Sequence, residues 1–361
     1  MQEPAATHEL NQTATKNALQ PVERITAIWA LSEAAFGGLL HALHIPLTGL
    51  FIGGFAVLFI TLIAFFSEKP GTILKATIIV MIVKLLASPH SPINAYFAVA
   101  FQGIAGELFF RFIKNKRIAA FSLGMLSLLQ SGFQKIIVVT LVFGQSIWES
   151  IDLFSDYVLS QFPISPGTIE EFSLSTTLII IYIGIHILGG ILFGLWAPVL
   201  AQNVKNGYAK SENPVQIKIS HDPLPHDTPK PKRRKLWKRF TYFLVILMAL
   251  SIVVLSYIFP VFEESKGIAA LVMIIRSVVI MTIWFYAVGP LLMKKLRSYL
   301  FKKESDHRNE VRDILNLLPN IKHIIQKSWK SSPRERNARS LAKFAENLLV
   351  YLLSADLSAE K

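Results

Sequence analysis

Glu33, Lys84, Gln102, Gln130, Gln134, Lys135 and His186 stand inside stretches of sequence that are otherwise almost wholly apolar. Together they offer a carboxylate, two ammonium groups, three primary amides and an imidazole. That set can read the polar edges of a small solute, and the two lysines favour one that is anionic or carries a carboxylate. An ion at the centre of a bilayer costs about 2.5–3.5 kcal/mol, so such side chains face a bundle interior or a pathway rather than lipid. The competing reading is internal pairing, with Glu33 neutralised by Lys84 or Lys135 and the glutamines hydrogen-bonded between helices. A third reading makes Glu33 or His186 an acid/base group of an intramembrane enzyme. No nucleophile or metal set accompanies them in the sequence, so no catalytic residue is assigned and the chain is not read as an enzyme.

The elements that position these residues follow from composition. Of 361 residues 52% are hydrophobic and only 17% charged, with a mean hydropathy of +0.45. Soluble domains carry about 25% charged residues, and apolar runs of roughly 18 or more residues are long enough to cross a hydrocarbon core about 30 Å thick. The chain therefore reads as an all-α, polytopic helical membrane protein with eight spans. They run over Ile25–Leu43, Leu47–Phe66, Thr72–Ala87, Pro92–Phe110, Ala119–Gly144, Thr176–Ala201, Thr241–Phe259 and Gly267–Met293. Ser91-Pro92 reads as a helix start, with Ser as cap and Pro in the first helical position. Gly49/Gly53 and Gly190/Gly194 have the spacing that lets helix backbones approach closely in lipid. By depth, Glu33, Gln102 and His186 fall near mid-span, Lys84, Gln134 and Lys135 somewhat further out, and His41, His44, His90 and Asn94 at the outer ends. Lys75 is expected to snorkel to the surface, and Glu107 to pair with Arg111 one turn on.

Charge sets the expected orientation, because Lys- and Arg-rich loops stay cytoplasmic. Arg111–Arg117 holds four cations and no acid, Gln145–Ser175 five acids and no Lys or Arg, and Gln202–Phe240 ten cations against three acids. The alternation places both termini of a cell-membrane protein in the cytoplasm. Met1–Arg24 lacks the features of a cleaved signal peptide and reads as a cytoplasmic lead-in. Residues 25–201 then form a six-helix bundle, 202–240 a basic Pro-rich linker, 241–293 two further spans and 294–361 a basic amphipathic tail. The tail stripe is Val311, Leu315, Leu318, Ile321 and Ile325, then Leu341, Phe344, Leu348 and Tyr351, interrupted by Pro319 and Pro333; it suits the membrane surface or a partner. The net charge of +13 concentrates in linker and tail, where it attracts anionic lipid headgroups. No aromatic interleaving or recognisable domain points to nucleic acid. The acidic loop Gln145–Ser175, with Trp148, Phe154, Tyr157, Phe162 and Phe172, is a candidate lid or an amphipathic surface segment.

Cysteine is absent, which excludes disulfides, thiolate metal sites and a thiol nucleophile. There is no phosphate-binding GxxxxGK[ST] loop, no HExxH, no GxSxG and no dinucleotide fingerprint, so no cofactor is expected. His41-Ala-Leu-His44 has metal-like i, i+3 spacing but no third ligand, and no metal site is assigned.

Over Ile25–Ala201, six spans with both ends inside and an outward polar site resemble the substrate-binding S components of energy-coupling-factor vitamin transporters. Such components carry a small-residue stripe on the first helix, which Ala30 and Ala34 match, with Ala27 beside them. The resemblance implies a small, vitamin-like solute, a membrane coupling subunit docked at Ala30 and Ala34, and a cytoplasmic ATPase supplied by another chain. The two further spans and the basic tail depart from a minimal S component. Ala338-Arg339-Ser340 is similar to the Ala-Arg-Gly motif with which coupling subunits grip ATPases, with serine in place of the glycine. The alternative to transport is a scaffold whose basic tail recruits a cytoplasmic partner.

Overall fold

The computed structural model describes residues 20–36, 47–88, 91–161, 173–211, 266–315 and 338–354, which are helical throughout apart from short turns. In chain order the helices are α1 (Pro21–Leu31), continued by a π-turn over Ser32–Phe36, α2 (Thr48–Phe66), α3 (Thr72–Ala87), α4 (Ile93–Phe112), α5 (Lys116–Phe143), α6 (Ser146–Leu159), α7 (Leu174–Ala209), α8 (Lys266–Ile283), a second π-turn over Trp284–Val288, α9 (Gly289–Asp306) and α10 (Ala338–Ser354). No strand occurs among the described residues. Five stretches are long and apolar enough to cross a membrane: Thr48–Phe66, Ile93–Phe112, Lys116–Phe143, Leu174–Ala209 and Leu271–Asp306. They correspond to the second, fourth, fifth, sixth and eighth expected spans. The third expected span is the 16-residue α3, at the expected bounds. Of the first, residues 37–43 lie outside the described residues, as does the whole of Thr241–Phe259. Large apolar side chains such as Phe97, Ile104, Leu141, Ile180, Leu192 and Phe285 are exposed. A soluble protein rarely leaves so much apolar surface open, whereas lipid accepts it. The protein is an all-α, multi-pass membrane protein.

The chain divides into two compact units, one of residues 1–128, 189–223 and 297–361, the other of 129–188 and 224–296. Two long helices are shared between them: α5 has 28 residues and α7 has 36, so α7 spans about 54 Å at ~1.5 Å per residue, and each contributes a different half to each unit.

In the first unit α3 is the centre, packed against α1, α2 and α4. Apart from Lys75, Lys84 and two threonines it is apolar, and most of its residues are buried, the pattern of a core helix. Local chemistry fixes the ends. Pro21 opens α1, where a missing N–H costs nothing, and the Glu23 carboxylate accepts the Gln20 N–H at 2.9 Å. α4 begins at Ile93 with Pro92 as the flanking residue, one position later than expected; Ser91 Oγ does not cap it but donates to Ser88 Oγ at 3.0 Å. Lys116 and Lys205 donate to the Ala64 and Phe65 carbonyls, at 3.3 and 2.9 Å. These cations sit at the negative end of the α2 dipole. Glu107 accepts the Gly71 N–H at 2.6 Å at the start of α3, so its partner is this backbone amide and not the expected Arg111, which is exposed. Lys75 is exposed as expected and pairs with Glu310 at 2.7 Å.

The tail folds back within the same unit. Leu300, Val311 and Ile314 are buried. α10 packs on α1, where Arg24 donates to the Leu353 and Leu352 carbonyls at 2.9 and 3.3 Å. Its buried edge is Leu349, Leu352 and Leu353; of the expected stripe Phe344, Leu348 and Tyr351 are half-buried, and the Leu341 side chain lies outside the described residues.

In the second unit α8 packs on α6. Arg276, midway along α8, is buried and donates from Nη2 to the Phe143 carbonyl at 2.6 Å and to Ser146 Oγ at 3.4 Å. Gly144 has a φ of +75°, and a Cβ there would strike the Arg276 guanidinium. Only glycine meets both conditions cheaply. On α6 the Asp152 carboxylate accepts from the Ser175 N–H at 2.8 Å, the Ser175 hydroxyl at 2.7 Å and the Ser173 hydroxyl at 3.2 Å, capping the start of α7. The Ser175 amide first, then the two hydroxyls, hold the Asp152 carboxyl below the usual carboxylate range. A lowered folded pKa gives stability that is present above the unfolded value and lost as pH falls through the folded one. The α6 strap should therefore hold at neutral pH and loosen only below about pH 4. Hydrogen exchange of residues 146–159 tests this, and Asp152→Asn should show faster exchange already at pH 7. Unchanged exchange in that variant would mean the cap does not hold the strap.

Candidate functional site

Glu33 and Lys84 meet at the centre of the first unit. Glu33 lies in the π-turn that continues α1. Such turns widen a helix by one residue and recur at functional sites. Lys84 lies one turn from the end of α3. Its Nζ donates to Glu33 Oε2 at 2.8 Å, and the two side chains are 5% and 2% exposed. The pairing is one of the two anticipated for Glu33. The Lys84 ammonium is 5.8 Å from the centre of the Tyr96 ring on α4. Tyr96 is 1% exposed, yet among the described residues its hydroxyl has no hydrogen-bond partner; the indole N–H of fully buried Trp29, one turn before Glu33, has none either. Buried polar groups in native proteins are nearly always satisfied, and exceptions point to a missing water, ion or ligand.

Gln102 belongs to the same unit and is buried, but it serves a different contact. Its amide nitrogen lies 3.3 Å from where a Cβ on Gly53 would be, at the α2–α4 interface. Six residues separate it from Tyr96, so the two project about 120° apart around α4.

Gln130, Gln134, Lys135 and His186 belong to the second unit. Gln130 Nε2 donates to Gln134 Oε1 at 2.7 Å, the i, i+4 contact that their spacing implies. Lys135 is exposed, which corrects the expectation that it faces inward. His186 is fully buried, with its ring against Gly132 and 4.5 Å from the Tyr182 ring. Its Nδ1 is 2.9 Å from the Tyr182 carbonyl. A carbonyl only accepts, so Nδ1 is the donor; among the described residues Nε2 has no partner, and neither has Gln130 Oε1. Gln130 and Gly132 project about 200° apart around α5, so the glutamine pair and His186 occupy opposite sides of that helix.

Ala30 and Ala34 are buried inside the first unit, so the small-residue stripe faces the chain's own helices. Among the described residues no three His, Asp or Glu side chains form a metal-binding group; His41, His44 and His90 lie outside them, as do Phe162 and Phe172 of the acidic loop. Asn94 is half-buried. α6 carries Trp148, whose indole N–H donates to Thr140 at 3.0 Å, while Phe154 and Tyr157 are exposed.

Three residues important to these centres escape a reading by span depth. Arg276 is a charge in the middle of the eighth expected span, and the cost of burying it was the available signal. Tyr96 and Trp29 carry no such signal, because amphipathic aromatics are common in membrane helices. No protein-family model, no curated protein and no solved structure matches this chain.

Proposed function

We propose that the protein binds and transports a small solute across a cell membrane, with the Glu33–Lys84 centre as its binding site. In this reading the chain crosses the bilayer eight times with both termini cytoplasmic, and it hydrolyses no ATP itself. The observation that carries it is the buried ion pair at a π-turn, with the Tyr96 ring 5.8 Å from the Lys84 ammonium and the buried Tyr96 hydroxyl without a partner among the described residues. A purely structural pair gives that hydroxyl no role, whereas a solute with acceptor atoms would satisfy it. The likeness to S components supports the same class. A coupling subunit with its ATPase would need a docking surface other than Ala30 and Ala34, since both are buried.

The scaffold alternative draws on one observation, the exposed Lys294, Lys295 and Lys302 along α9, which suit an acidic partner. Against it stands α10, whose apolar edge is already engaged by α1.

Native mass spectrometry of the full chain, released from its membranes into mild detergent, tests the proposal. A small-molecule adduct is expected on the wild type and not on the shape-preserving Glu33→Gln/Lys84→Gln double variant. Monodisperse wild-type protein with no adduct, or an adduct that the double variant retains, would overturn it.

A further inference from the structure

Resting on that reading, we propose that the solute is a zwitterion, with a carboxylate taken by Lys84 and Tyr96 and an ammonium taken by Glu33. Charge balance is the first argument. Lys84 is already neutralised by Glu33 at 2.8 Å, and Lys135, the second cation expected to draw an anion, is exposed and belongs to the other unit. A lone anion bound between the two would leave that pair with a net negative charge, and a lone cation a net positive one, which the low dielectric penalises; the other cation in electrostatic range, Arg297, acts on Tyr96 from an exposed position on α9. A zwitterion inserts between the partners, exchanges one ion pair for two, and leaves the net charge at zero.

The orphan groups give the second argument. The Trp29 indole N–H is a donor only, and the Tyr96 hydroxyl donates as readily as it accepts. Both are fully buried and, among the described residues, lack a partner; Tyr96 lies against Lys84, and Trp29 stands one turn before Glu33. They call for acceptor oxygens, which a carboxylate supplies in number. The Tyr96 ring, 5.8 Å from the Lys84 ammonium, offers a π face that suits a second ammonium equally well. No proton or bond needs to move, because ion-pair exchange is the whole event.

Thermal unfolding of the purified full chain with three matched mixtures tests this. The first is the apolar α-amino acids, the second their deaminated carboxylic acids, the third their decarboxylated amines. Only the amino acids are expected to raise the midpoint, in proportion to the logarithm of concentration. Tyr96→Phe separates binding from structure. Deleting an orphan hydroxyl should leave the unliganded midpoint unchanged or higher, yet raise the apparent Kd about three- to tenfold by removing one hydrogen bond. A shift with the acids alone, or the amines alone, overturns the zwitterion while leaving solute binding at this centre intact. No shift with any mixture, from protein that carries a native adduct, likewise overturns the zwitterion. No shift and no adduct overturns both. A Tyr96→Phe variant that binds the amino acids as tightly as wild type removes Tyr96 from the site and overturns the assignment made here.

Discussion

Lys84→Ala is expected to destabilise the folded protein by about 3–5 kcal/mol, the usual cost of stranding one member of a buried ion pair. The Glu33 carboxylate would then lie 2% exposed with its charged partner gone, in a unit whose centre is α3, apolar apart from a few side chains. It must either stay charged in a low dielectric or take up a proton, and both cost stability. Glu33→Gln alone should be costly in the same way, by leaving the ammonium unpaired. The Glu33→Gln/Lys84→Met double variant should recover most of the loss, because a neutral, well-packed replacement of a buried pair is often neutral or stabilising. Equilibrium unfolding of wild type, Glu33→Gln, Lys84→Met and the double variant in one detergent closes the cycle and gives the coupling energy directly. A coupling below about 1 kcal/mol, typical of exposed pairs, would show that water reaches these side chains in solution. The pair would then be no buried centre, and the argument from orphan donors would lose its setting.

The same pair shows what the sequence makes legible. Burying charge in lipid is so costly that Glu33, Lys84 and His186 stand out without any structure, and all three are buried. The spans are legible for a related reason: an apolar stretch bounded by polar turns has few other folds open to it, and Thr72–Ala87 is read to its ends. What sequence depth does not give is direction around the helix. Lys135 is one residue from Gln134, yet about 100° away around α5, and it is exposed. Gln102 and Tyr96 differ in the same way on α4. The tail illustrates a second limit. α10 is apolar over more than one stripe, so Leu349, Leu352 and Leu353 compete with the expected set, and the decision is made by a long-range contact, Arg24 on the Leu352 and Leu353 carbonyls. Nothing local encodes that choice. The extension of α7 to Ala209 has a similar cause: apolar content ends near Ala201, but hydrogen bonding along a helix continues into polar sequence where tertiary contacts hold it. Lys205 on the Phe65 carbonyl and Asn203 near Glu346, at 2.9 and 3.2 Å, are such contacts.

Spacing also separates the two small-residue pairs only in part, and here the second large effect is expected. Gly190 and Gly194 lie on α7 where it crosses α5 at Gly124. A Cβ on Gly124 would come within 2.7 Å of the Gly190 carbonyl oxygen and 2.8 Å of the Gly194 Cα; one on Gly194 would come within 2.9 Å of the Phe121 Cα. These neighbours are backbone, so no rotamer change relieves the clash and the helices must separate. Gly49, by contrast, is exposed, and its expected partner Gly53 meets the movable end of Leu128. Gly124→Val should therefore cost about 3 kcal/mol or more, at the upper end for overpacking, and Gly194→Val should be similar. Gly184 supplies a control on the same α7 helix, since a Cβ there meets nothing within 4 Å. Gly184→Ala should be stabilising by up to about 1 kcal/mol, the helix-propensity difference between the two residues. Opposite signs for Gly124→Val and Gly184→Ala, read from unfolding midpoints in one detergent, are the expected result. A tolerated Gly124→Val would mean that α5 and α7 do not touch through their backbones, and that this crossing does not hold the first unit together.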